Sequence, residues 1–139
     1  MNKSGVLGTR AESAVVAVLQ RFWPDVERRR QRGAADAGDI AGVPRVVWEV
    51  KGGKAAKTAS DNQIAAWLEE TEIERQNAEA EVGVLVVQRA GIGYPNAGRW
   101  WAIMANVELA RDLGQIPAPA RSVRLYLADA CDVLLGWGY

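Results

Sequence analysis

The sequence predicts an α/β fold, with helices packed against a sheet. Two observations carry this. Short runs rich in β-branched residues alternate with longer segments whose apolar positions recur at helical spacing. The run VGVLVVQR, residues 82–89, is apolar almost throughout, the pattern of a strand buried on both faces. The elements read in order α-β-β-β-α-β-β-α, followed by a short tail.

The first helix is expected over residues 9–22, because Val15, Val16, Leu19 and Phe22 share one face. Thr9 suits an N-cap, Glu12 three residues later completes a capping box, and Pro24 stops the helix. A basic segment, VERRRQR at 26–32, reads as a strand, and small residues fill 33–38. Asp39, Ile40 and Ala41 read as a short strand before a turn at Gly42, and 44–51 (PRVVWEVK) as a strong strand. Asp39 and Glu49 then lie on neighbouring strands of one hairpin. Residues 52–60 read as a loop. A long acidic helix follows over 61–80, its buried stripe formed by Ile64, Trp67, Leu68 and Thr71. After the strand at 82–89 come a turn region at 90–98 and a strand at 99–104. A helix at 106–113, a break at Pro117 and Pro119, a strand at 123–127 and a helix at 128–135 complete the chain.

At 139 residues the chain is most simply one domain, large enough to fold without a disulfide or structural metal. No apolar run reaches the ~18 residues of a membrane span, and the first residues lack a signal peptide's apolar core. A cytoplasmic protein without membrane contact is expected. The abundance of arginine over lysine and of alanine hints at a GC-rich source, and the compact length would suit a phage.

The chain has no histidine and one cysteine, Cys131. That excludes Ser-His-Asp triads, histidine-metal nucleases and ordinary structural zinc sites. Any metal must be held by oxygen, which favours Mg²⁺ or Mn²⁺. Net charge is zero but segregated. Residues 1–58 hold 11 Lys and Arg against 6 Asp and Glu, and residues 59–139 hold 6 against 11. A basic half suits a local anion-binding face.

The chemistry concentrates in Asp39-x9-Glu49-Val50-Lys51. Alternation places Glu49 and Lys51 on one face of their strand, and Asp39 on the adjoining strand can reach them. Two close carboxylates repel unless a cation sits between them. A divalent ion there would polarise a phosphate and activate water. Lys51 would orient or deprotonate that water, or neutralise charge on the phosphate. Asp36 competes with Asp39 for this role, but the apolar pair after Asp39 suits a strand better. Glu12 lies near the apolar stripe of its helix, where an acid needs a partner or a ligand. Three of the four lysines, Lys51, Lys54 and Lys57, sit in or after the motif and suit phosphate contacts. Trp48 and Trp67 read as core rather than as base-stacking rings. Trp100 and Trp101 put one ring on each sheet face, leaving one free for solvent or a dimer contact. GIGY at 91–94 reads as a turn, and Leu134 to Trp137 as a self-association tail or a terminal staple.

GAADAGDIAG (33–42), VVWEVKGGK (46–54) and SDNQIAAWL (60–68) together resemble the PD-(D/E)XK nuclease superfamily, and within it the archaeal-type and phage Holliday junction resolvases. The resemblance covers about residues 5–90. It implies a restriction-endonuclease-like core, αβββαβ, with a mixed central sheet flanked by helices. It makes Asp39, Glu49 and the Val50 carbonyl metal ligands, Glu12 a secondary metal-site acid, Lys51 the catalytic lysine and Gln63 a helix glutamine that positions phosphate or water. The basic strand is matched by Arg28, Arg29, Arg30 and Arg32, of which Arg28, Arg30 and Arg32, with Lys54 and Lys57, are the expected DNA contacts. The Pro-Asp of the superfamily's name is absent, since Gly38 precedes Asp39. The resolvases are also more basic overall. The expected activity is Mg²⁺-dependent endonucleolytic cleavage of branched DNA, the four-way junction foremost, by a homodimer. A virus-type replication-repair or restriction-like nuclease, or a non-catalytic nucleic-acid-binding protein, are the alternatives.

Overall fold

The computed structural model describes residues 3–29, 38–105 and 122–139. The expected helix at 106–113, the breaks at Pro117 and Pro119, and Arg30, Arg32 and Asp36 lie outside the described residues. The architecture is α/β, a mixed four-stranded sheet flanked by helices. In chain order the elements are α1 (Lys3–Leu19), β1 (Glu27–Arg28), β2 (Ile40–Ala41), β3 (Val46–Lys51), α2 (Gly53–Lys57), α3 (Asp61–Asn77), β4 (Val82–Val87), a 3₁₀ helix (Tyr94–Arg99), β5 (Trp101–Ala105), β6 (Ser122–Tyr126) and α4 (Leu127–Gly136).

The main sheet runs β3-β4-β5-β6. β3 and β4 are parallel and joined by a crossover through α2 and α3, while β4/β5 and β5/β6 are antiparallel. β1 and β2 form a separate antiparallel pair. The pleat sends alternate residues to two cores. Val46, Trp48, Val50, Val84, Val86, Ala102 and Met104 pack with α1 and α4. Leu85, Val87 and Ile103 pack with Ala56, Leu68, Ile64 and Trp67 from α2 and α3. β4 lies inside the sheet, and all its residues except Val82 are buried, as its unbroken apolar run anticipates.

Several boundaries differ from the sequence reading, each for a local reason. α1 begins at Lys3, six residues before Thr9, so Thr9 is no N-cap and the capping box with Glu12 does not form. Thr9 with Glu12 suggested the later start, but the helix runs through Gly5 and Gly8 before it. A glycine costs only about 1 kcal/mol inside a helix, which a packed helix absorbs. α1 ends at Leu19, before Pro24 can act, and tight turns carry the chain on to Trp23. The expected loop at 52–60 contains α2, anchored by buried Ala56 and by Gly53 N–H donating to Gln88 Oε1 at 2.8 Å.

α3 stops at Asn77 rather than residue 80. Glu79 takes the left-handed conformation (φ 52°) that ends many helices, a position usually filled by glycine and therefore invisible to a search for one. Part of the turn at 90–98 winds into the 3₁₀ helix. Trp100 caps it and is fully buried, so β5 begins only at Trp101. Tyr139 ties back to the fold: its Oη donates to Glu81 Oε2 at 2.6 Å, and Arg45 stacks on its ring at 4.5 Å.

Candidate active site

β3 is an edge strand of the main sheet, and Asp39 occupies its outer edge. Asp39 N–H donates to Trp48 C=O at 2.8 Å, and Val50 N–H donates to Asp39 Oδ2 at 2.8 Å. Asp39 therefore lies alongside β3, as the hairpin reading requires, although the regular ladder of its own strand is with β1. Strand geometry points a residue's N–H and C=O to the same edge, so the Val50 carbonyl also faces the Asp39 side. Gly38 makes this approach possible. It has φ 92°, and a Cβ there would lie 2.8 Å from Val47 Cγ1 and 2.9 Å from Trp48 C=O. Proline, fixed near φ −65°, cannot adopt that conformation, which accounts for Gly38 preceding Asp39.

Glu49 and Lys51 project from β3 toward α3. Lys51 Nζ lies 3.4 Å from Glu49 Oε1, 3.6 Å from Glu70 Oε2 and 5.6 Å from the centre of the Trp67 ring. Glu49 and Asp39 are both buried. Glu49 also meets Glu74 of α3, itself buried. Two ionised carboxylates have no proton to share, and Glu49 Oε2 is then buried without a hydrogen-bond donor. Burial, the hydrogen bond that a protonated carboxyl makes with Glu74, and the charge of Glu74 together push Glu49 up to about 8 against the pull of Lys51. Burial alone would lower Lys51. The charges of Glu49, Glu70 and Asp39 outweigh it and hold the ammonium above its ordinary value. Lys51 in this site is a cation rather than a base.

Asp39, Glu49, Val50 and Lys51 are thus gathered at the C-terminal half of β3. Gln63 is exposed on α3, one turn before Trp67 on the same side, and its N–H donates to the capping Ser60 Oγ at 3.1 Å. Glu12 is engaged elsewhere. Its Oε2 receives both Nε and Nη2 of Arg28 at 2.9 Å, and Arg28 sits opposite Ile40, the residue after Asp39. That pairing answers the need of an acid near an apolar stripe, and it occupies an arginine expected to contact DNA. Lys54 and Lys57 are exposed on α2, directly beyond the site.

The sequence reading missed Glu70, Glu74 and Gln88. Glu74 lies three residues after Thr71 and seven after Trp67, so it extends the apolar stripe of α3; an acid on that stripe was the available signal. Gln88 joins the end of β4 to the site, accepting from Gly53 N–H while its own N–H donates to Lys51 C=O at 3.0 Å.

The donor set suits a hard divalent cation: carboxylate and carbonyl oxygens, with the buried carboxyls of Glu49 and Glu74 facing each other. Among the described residues no group of three acidic, cysteine or histidine side chains stands ready to hold a metal ion. An ion such as Mg²⁺, which keeps several waters and takes one or two carboxylates, needs none. Comparisons with protein-family models, with curated proteins and with solved structures return no match.

Proposed function

We propose that this protein is a metal-dependent DNA endonuclease with a restriction-endonuclease-like core, acting on branched DNA such as the four-way junction. The observation that carries the reading is the convergence at β3: Asp39 on its edge, Glu49 and Lys51 on one face, and Glu49 buried against a second carboxyl, Glu74. Asp39, Glu49 and the Val50 carbonyl would hold Mg²⁺ or Mn²⁺; Glu12, expected as an outer acid, is paired with Arg28 instead. A bound ion of this kind polarises a phosphate oxygen and lowers the pKa of water. Lys51, kept cationic by its neighbours, neutralises charge that builds on the phosphate during in-line attack. Gln63 orients the phosphate or the water. Lys54 and Lys57 contact the flanking backbone, where each cation adds affinity that falls with salt. A junction requires two symmetric cuts, so the working form is a homodimer. Exposed Leu135 and Trp137 at the end of α4 offer apolar surface for it.

The test is cleavage of four-way junctions, flaps and linear duplex with Mg²⁺ or Mn²⁺. Asp39→Asn, Glu49→Gln and Lys51→Met should each lower the rate at least about 100-fold, and junctions should be cut fastest. Full activity in these variants, or no carboxylate-dependent Mn²⁺ uptake by calorimetry, would overturn the reading.

A further inference from the structure

The face of the sheet that carries Glu49 and Lys51 continues across all four strands. Lys51 is opposite Val87, Val87 opposite Trp101, and Trp101 opposite Tyr126. One row therefore runs from the candidate site to the far edge, about 14 Å over three strand spacings. α2 and α3 cover its first part. The β6 positions on this face, Ser122, Arg124 and Tyr126, are exposed, Tyr126 at 39%.

Two guanidiniums rest on this uncovered end. Arg89 lies 4.1 Å from the centre of the Trp101 ring and 5.3 Å from that of Tyr126, and Arg124 lies 5.2 Å from Trp101. The two rings stand 5.6 Å apart, tilted by 33°. Arg89 Nη1 donates to Arg99 C=O at 3.0 Å. Among the described residues neither Arg89 nor Arg124 forms an ion pair. In a chain of zero net charge, with an acidic second half, two arginines rest on aromatic rings and, among the described residues, pair with no carboxylate.

We infer that Trp101, Tyr126, Arg89 and Arg124 form a platform for unpaired nucleotides of the DNA strand that enters the candidate site. The inference rests on the nuclease reading for the identity of that strand. A planar guanidinium over a ring occupies the place a base would take. A base that stacks on Tyr126 or Trp101 displaces the arginine, whose N–H donors then reach the adjacent phosphate. Stacking tolerates any base, so the platform selects single-stranded character rather than sequence. It lies in the row of Lys51, and so favours DNA in which a paired segment opens next to the cleavage position.

The test is fluorescence anisotropy with the full chain and no divalent ion, so that nothing is cleaved. The probes are a labelled 16-nucleotide oligothymidylate, the same strand made abasic, and a blunt duplex. The protein should bind the oligothymidylate at least about tenfold more tightly than the abasic strand. Arg89→Gln with Arg124→Gln should weaken binding about tenfold and lower the salt slope by about 1.4, the value for two phosphate contacts on a single strand. Tyr126→Ser should remove most of the preference for bases. Tyr126 is exposed, so this variant decides the matter if the double variant folds poorly. Variants within twofold of the parent, no binding by the parent, or equal binding of the abasic strand would overturn the inference. Junction cleavage without such binding would leave the nuclease reading intact. Binding by a protein that cleaves nothing would do the reverse.

Discussion

At the scale of single residues, Glu49 couples proton binding to stability. Its carboxyl is ordinary in the unfolded chain, near 4.5, and raised to about 8 in the folded one. Between those values the folded state holds more protons, so stability of the metal-free protein falls as pH climbs from about 4.5 through 8. Thermal melts should show this decline, and Mg²⁺ or Mn²⁺ should reverse it at pH 8. Glu49→Gln should flatten the pH dependence and melt a few degrees higher at pH 8, the shift expected for about 1–2 kcal/mol in a chain of this size. A metal-free melting point that rises with pH over this range would contradict the assignment. Cys131 gives a simpler check. Burial, with the charge of Asp132, pushes its thiol up to about 12, so a thiol reagent should label it only after unfolding. Glu49 and Lys51 were legible as a pair because strand alternation is local, two residues apart meaning one face, while Asp39 rested on the apolar pair after it and on the resemblance, with Asp36 as its rival. Glu70 and Glu74 were not legible. Which side of an acid-rich helix meets a sheet is settled by packing, and α3 offers acids on nearly every side.

At the scale of elements, two backbone positions decide geometry. Gly38→Ala should place a methyl against Val47 and the Trp48 carbonyl in a conformation disfavoured for alanine. A loss of at least about 1–2 kcal/mol in denaturant unfolding is expected, together with weaker Mn²⁺ binding, because Asp39 is displaced. Glu79→Gly should do the opposite and stabilise by about 1 kcal/mol, since glycine adopts the left-handed end of α3 without cost. Unchanged unfolding midpoints in both variants would refute the backbone account. The order of the longer elements was readable, from the narrow stripe of Ile64, Trp67, Leu68 and Thr71 in α3 and the unbroken apolar run of β4, whereas α2 and the 3₁₀ helix were not. Nor were the ends. α1 runs through two glycines, α2 is a five-residue helix held by Ala56 and Gln88, and Glu79 ends α3 without the expected residue type.

At the scale of the whole molecule, the mixed sheet separates two surfaces. One face packs on α1 and α4; the other carries the candidate site and the arginine-aromatic row. Sedimentation should show a dimer that Trp137→Ser weakens, since Trp137 is 55% exposed with Leu135 beside it. A monomer at all concentrations would remove the homodimer from the proposal. No helix among the described residues is long and apolar enough to cross a membrane. The parallel pairing of β3 with β4 could not be read from the sequence, because strand direction depends on how the α2–α3 crossover returns. The placement of Asp39 has one more consequence. Among the described residues β3 is otherwise an open border of the sheet, and open borders recruit strands of other chains. Asp39 closes this one with its own amide and carboxylate. Asparagine at 39 keeps an acceptor for Val50, whereas alanine would strand that amide and expose the border. The Ala variant should therefore form strand-paired aggregates on storage that the Asn variant does not. The acid that would bind the metal also keeps the molecule from self-assembling through its edge.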